Sequence, residues 1–228
     1  MRLRYYRLTA KQPVAAIEEA MRKGSYDGGD EPGFLIDAQR REWVRGRFVE
    51  PVDWERQVVD PFGRAQAITG RDYRISKFFY RPKTRMLEVE DQPQGFRAFH
   101  VALADVVASE VTPVPLLLDL ARFASLVEPM PFFQILAVST DLVTLSSHAA
   151  CEVRVVGSQS VWEDLAELLG ERDYRVKTLT VRFRAGPSIV QTEVSSGGVV
   201  RITGASQRLR ESLRKKFLDS EVKGASGT

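Results

Sequence analysis

The sequence predicts an α+β protein: mixed or antiparallel sheets with segregated helices, arranged as two small subdomains. Strand-like runs follow one another with helices set apart, rather than alternating regularly as in a parallel α/β fold. Pro129 and Pro131 follow an interrupted helical stretch and make the clearest break in the chain. Charge is also segregated. Residues 71–85 and 201–216 each carry six bases against one acid, a net +5, whereas 86–150 is −6 and the whole chain only +3. The expected organisation is an N-terminal α+β domain over 1–110, a helical connection over 111–131, a C-terminal α+β domain over 132–220 and a flexible tail over 221–228.

Residues 2–8 are a short β-prone run that mixes aromatic and basic residues. Val14, Ile17 and Met21 recur at helical spacing, so 12–23 reads as an amphipathic helix ending before Gly24. After a loop over 25–33, 34–39 and 42–50 read as a strand pair, with Arg45 and Arg47 on one face by period-two alternation. Residues 51–72 read as a turn-rich, loose connection. A strand over 72–82 turns at Pro82-Lys83-Thr84 and pairs back through 85–91. Tyr73, Ile75 and Lys77 face one way on it; Arg74, Ser76, Phe78 and Tyr80 face the other.

Phe96, Phe99, Leu103 and Val106 make the apolar stripe of a core-facing helix, and a second helix is expected over 115–127. Strands are expected over 132–145 and 151–157. Ser160 and Glu163 have capping-box spacing for a helix that Gly170 ends. Residues 174–186 alternate with a one-residue slip near Lys177–Leu179 that suits a bulge. Ser195-Ser196-Gly197-Gly198 signals a hairpin, and 205–221 is a final helix.

Chemistry-bearing patterns are sparse. The chain contains no G-x-x-x-x-G-K-[ST] or G-x-G-x-x-G phosphate cradle and no G-x-S-x-G elbow. Two histidines and one cysteine, His100, His148 and Cys151, do not supply a metal site. Glu88, Glu90 and Asp91 lack the cationic partner that a metal-dependent nuclease places behind its second carboxylate. The expectation is therefore no catalytic residue, no metal and no cofactor. A lone cysteine, no secretory h-region and no apolar run of about 20 residues point to the cytoplasm and away from membranes.

The basic segments are the functional candidates. In the last helix Leu209, Leu213 and Phe217 share one face, with Arg208 and Lys215 on one flank and Arg210 and Arg214 on the other. A docked helix would then show cations on both shoulders, a workable way to neutralise phosphates; solvated bases complementing the helix dipole are the alternative. Arg74, Lys77, Arg81 and Lys83 form the second cluster. Arg74, Phe78 and Tyr80 interleave a cation with rings, a pattern that stacks bases or forms half of a core.

The order of DYRISKFFYRPKTRMLEVEDQPQG, FRAFHVALADVV, CEVRVVG, SVWEDLAELLG, YRVKTLTVRF and GVVRITG resembles the phage-exclusion and antiphage-defence proteins that include the Rex-type exclusion sensor of temperate phages. That resemblance implies a two-domain, dimer-forming α+β protein that binds DNA with little sequence preference and works with a separate effector. This chain departs at its C-terminus, which is shorter and closes with one basic helix. The expected function is a non-enzymatic, homodimeric DNA-binding subunit, with DNA favoured over RNA. The alternative is a protein–protein adaptor or scaffold subunit of a multi-protein complex, and after it a metal-dependent nuclease, which would need Glu88 or Glu90.

Overall fold

The computed structural model describes residues 1–10, 14–91, 96–107, 111–204 and 207–221. The chain divides into two compact units, Tyr5–Val114 and Met1–Arg4 with Pro115–Thr228. Five α-helices and mostly antiparallel strands are present among the described residues, an α+β architecture in which sheet dominates. Pro129 and Pro131 both lie inside the second unit.

The first unit contains most of β1 (Arg2–Ala10), α1 (Val14–Lys23), β2 (Gly33–Arg40), β3 (Trp43–Val59), β4 (Ala65–Arg81), a 3-10 turn (Pro82–Thr84), β5 (Met86–Glu90), α2 (Arg97–Val107) and β6 (Val111–Pro115). Its strands run in the order β2–β3–β4–β5–β1, with β6 also paired to β1. Alternate residues Val44, Phe48, Phe78, Tyr80, Leu87 and Val89 meet Ile17 and Met21 of α1 and Phe99 and Leu103 of α2 in one core. The rings of Phe34, Phe48 and Phe78 pack against Phe99 in tilted or edge-on contacts, the geometry their quadrupoles favour. Gly46 makes room for this. A Cβ there would lie 2.5 Å from Leu35 O and 2.8 Å from the Phe78 ring.

The expected loose connection over 51–72 is absent; β3 and β4 are 17 residues each and stay in register from Val44↔Tyr80 to Val59↔Ala65. Their outer halves form a two-stranded ribbon with both faces exposed. Neither face there must be apolar, so the period-two signal that reveals a half-buried strand is missing. The ribbon tip is ordered by Asp60, whose Oδ1 accepts from Phe62 N at 2.9 Å and Arg64 N at 2.8 Å, while Gly63 takes φ +79°.

The second unit contains α3 (Leu120–Val127), β7 (Gln134–Thr140), β8 (Val143–Ser146), β9 (Ala149–Cys151), β10 (Arg154–Val156), α4 (Trp162–Leu169), β11 (Val176–Ala185), β12 (Ser188–Ser195), β13 (Val199–Thr203) and α5 (Gln207–Asp219). The order is β10–β7–β11–β12–β13, followed by Arg2–Arg4 of β1 on β13; β8 and β9 pair apart. Leu179, Val181, Phe183, Val190, Val194 and Val200 supply the buried sheet face, and Phe123 of α3 stacks on Phe217 of α5 at 4.9 Å. The alternation slip is a register shift between Val176 and Thr178.

Three local expectations are corrected. The helix expected over 115–127 begins only at Leu120, because Asp119 caps it by accepting from Arg122 N at 3.0 Å, and the amides of Leu118 and Asp119 are committed to Ser196 O and Ser220 O. The strand expected over 132–145 breaks at Asp141–Leu142 into β7 and β8. Ser160 forms no capping box: Val161 occupies the N-cap of α4 and its amide donates to Ile135 O.

Candidate nucleic-acid interface

The first unit's sheet buries one face under α1 and α2. Its other face is also buried at Tyr5 of β1, Val49 of β3 and Met86 and Glu88 of β5, and is open to solvent along the inner half of β3 and β4, where Arg45 and Lys77 are exposed. On β3 the residues alternating away from Val44 and Phe48 are Trp43, Arg45 and Arg47; on β4 those alternating away from Phe78 and Tyr80 are Lys77, Phe79 and Arg81. The register sets Arg45 opposite Phe79 and Arg47 opposite Lys77, so the two strands share one basic-aromatic surface. Trp43 and Phe79 stack at 5.6 Å with planes 26° apart. The Arg81 guanidinium lies 5.4 Å from the Phe79 centroid and that of Arg40 5.8 Å from the Trp43 centroid. Two rings are thereby enclosed between two guanidinium groups.

Opposing charge limits the patch. Arg47 donates to Asp37 Oδ1 through Nε at 3.0 Å and Nη2 at 2.8 Å. Glu88 and Glu90 of β5 stand opposite Phe79 and Lys77 on the same face, Glu88 being buried. Five bases (Arg40, Arg45, Arg47, Lys77, Arg81) thus face three carboxylates, an excess of two positive charges. Arg45 and Lys77 are exposed and have no ion-pair partner among the described residues.

The sequence cluster over 71–85 disperses in three dimensions. Arg71 bonds Asp53 and Asp30 at 2.7 and 2.6 Å, which holds its guanidinium above its ordinary pKa and the Asp53 carboxyl below its own. Arg74 sits on the core-side row, 3.9 Å from Glu50, and Lys83 lies in the 3-10 turn 3.9 Å from Glu42. Arg85, at φ +52°, donates to Ala10 O. Lys77 and Arg81 are the two that join the open face. Phe78 and Tyr80 are buried, so the base-stacking option for Arg74, Phe78 and Tyr80 is overturned: that face is core.

On α5 the apolar stripe is as expected, with Leu209, Leu213 and Phe217 all buried. Its flanks are less open than the helical wheel suggests. Arg214 is only 9% exposed, and Arg210 is half-buried with its Nε enclosed; long aliphatic stems pack readily along apolar surface. Lys216 Nζ donates to Leu126 O in α3. Lys215 remains exposed, and the side chain of Arg208 lies outside the described residues. The two sequence clusters belong to different units.

No protein-family model matches this chain, and no curated protein matches it either. What the surface can do therefore rests on its own chemistry. The exposed faces of Phe79 and Trp43 are already occupied by arginines, which leaves the cations, rather than bare rings, as the contact groups. Arg40, Trp43 and Phe79 were not singled out from sequence. The alternation of Trp43, Arg45 and Arg47 held the signal, but only the β3–β4 register places it beside Lys77, Phe79 and Arg81.

Proposed function

We propose that the protein is a non-enzymatic subunit that binds DNA through the open face of its first unit, with little dependence on sequence, in an antiphage-defence or phage-exclusion type system. The observation that carries the binding is the row of Arg45, Arg47, Lys77 and Arg81 around the ring stack. Spread over two neighbouring strands, these cations suit backbone phosphates, which fix position but carry no sequence information. Rings covered by guanidinium groups are poor platforms for unstacked bases, which favours a duplex over a single strand. The defence role and a separate effector come from the sequence resemblance. Lys215, with Arg208, Arg210 and Arg214 of α5, is the secondary cationic element; Lys83 follows Arg81 in the 3-10 turn, and Arg74, on the opposite face of the sheet, is outside the main one.

The test is a charge reversal. Arg45→Glu with Lys77→Glu is expected to weaken duplex DNA binding by about a hundredfold at low salt, while Lys215→Glu costs no more than about threefold. The folded state of each variant is checked by thermal melting. A double variant that binds duplex like the wild type removes the open face from the site.

A second reading, a protein–protein adaptor, is favoured by one observation: the ribbon exposes Trp54, Val58, Ile68 and Phe62, the last at 86%. An adaptor retains its partner after nuclease treatment and high-salt washing; a DNA-binding subunit does not depend on one.

A further inference from the structure

The core-side face of β3 and β4 does not end where the core ends. Beyond the Glu50–Arg74 pair, the register continues it as Val52 with Asp72, Trp54 with Gly70, and Arg56 with Ile68. Trp54 lies across the backbone of β4 at Gly70, where a Cβ would come within 2.5 Å of the indole. The result is a largely exposed strip of tryptophan, isoleucine and valine with one cation and one anion on it. Neither Arg56 nor Asp72 has an ion-pair partner among the described residues. On the opposite face of the same ribbon, by contrast, Arg71 is bonded to Asp53 and Asp30.

The positions of the two unmatched charges are related. Arg56 is one row outward from Trp54 on β3, and Asp72 is one row inward on β4. We propose that this strip docks on the same strip of a second copy of the chain, through a two-fold axis crossing the ribbon at the Trp54–Gly70 row. The axis reverses the strands and lays each outward row over the inward row of the other copy. Each strand then lies over its own copy, with Arg56 above Val52 and Ile68 above Asp72 of the second copy. The long Arg56 side chain reaches Asp72 of the second copy one strand across, twice over by symmetry, and the two Trp54 rings face each other. A nucleic acid would gain nothing from Asp72 on this strip, and a purely apolar partner would leave both charges unmatched at a cost. The charge pattern fits a self-complementary, isologous contact.

Its size sets its strength. Nine residues at about 3.3 Å span about 30 Å, and two strands about 10 Å, so the strip offers about 300 Å² per copy. Stable complexes bury about 800 Å² per partner, so this contact forms a weak dimer that assembles with rising concentration.

Sedimentation velocity of the full chain across a concentration series tests it. The wild type is expected to shift from monomer to dimer. Arg56→Asp and Asp72→Arg, both at exposed and unpaired positions, each weaken dimerisation about tenfold, because two attractions become two repulsions. The double variant Arg56→Asp with Asp72→Arg recovers to within about threefold of the wild type, and the two single variants mixed together form a heterodimer that neither forms alone. A wild type that stays monomeric throughout, a dimer indifferent to the single changes, or a double variant as weak as the singles overturns the proposal. Duplex DNA binding is measured on the same variants. A loss there with unchanged sedimentation overturns it too, and assigns the strip to nucleic acid.

Discussion

β3 and β4 pair along their whole length, yet their two halves have different physical roles. In the inner half, from Val44↔Tyr80 to Glu50↔Arg74, one face is buried under two helices, and the side chains there are large, apolar and closely fitted. In the outer half the same ladder continues with both faces in solvent, held by backbone hydrogen bonds, a capped tip and the Arg71–Asp53 bond. A two-stranded ribbon is at best marginally stable on its own. The outer half is therefore held by the inner half, and its sequence is free to serve a surface. Stability resides in one half of the hairpin, and the ribbon's surface chemistry in the other.

The sharpest way to break this contrast is to truncate matching positions in the two halves. Phe78→Ala should cost about 3–5 kcal/mol in chemical denaturation, as expected for a buried phenylalanine. Val58→Ala should stay within about 0.5 kcal/mol. Comparable losses at both sites would mean the ribbon is buried in solution. Glycines give a second, smaller comparison. Gly46→Ala forces a methyl against backbone at Leu35 O and should cost about 1–3 kcal/mol. At Gly70 the clash is with the indole of Trp54, 39% exposed, which can swing away, so Gly70→Ala should cost less than about 1 kcal/mol in the same assay.

Tyr80 sharpens the picture of the inner half. Its hydroxyl is buried without a hydrogen-bond partner, and burial pushes its pKa up to about 12, against 10.0 ordinarily. The folded state thus favours the protonated phenol. The stability linked to this shift is intact below pH 10 and is lost as pH rises through about 12. Tyr80→Phe should raise stability at neutral pH by about 1 kcal/mol, since it removes an unsatisfied buried group. It should also flatten the part of the decline above pH 10 that belongs to this group. A variant less stable than the wild type at pH 7 would show that the hydroxyl finds a partner.

The inner half was legible in the sequence because burial imposes a pattern. Phe78 and Tyr80 alternate with Lys77, the Pro82-Lys83-Thr84 turn is where it was expected, and Ile17 with Met21 and Leu209 with Leu213 mark real apolar helix faces. The ribbon was not legible, because a strand exposed on both sides carries no such alternation. Charge was the least readable property. A run of bases in sequence says nothing of which carboxylates the fold brings alongside, and Asp30 reaches Arg71 across 41 residues. Arg214 shows the converse: its aliphatic stem let packing take it out of solvent. The open face required both strands at once, so no single segment could have shown it.

The most direct measurement is the salt dependence of duplex DNA binding by the wild type and by the triple variant Arg45→Ala, Lys77→Ala, Arg81→Ala. Each phosphate released from contact removes about 0.9 from the magnitude of the log–log slope. A wild-type slope of about −3 to −5 that falls in magnitude by about 2–3 in the variant, with its fold intact, is the expected result. An unchanged slope in the variant, or a wild type that binds no duplex even at low salt, would contradict the assignment of the open face to nucleic acid.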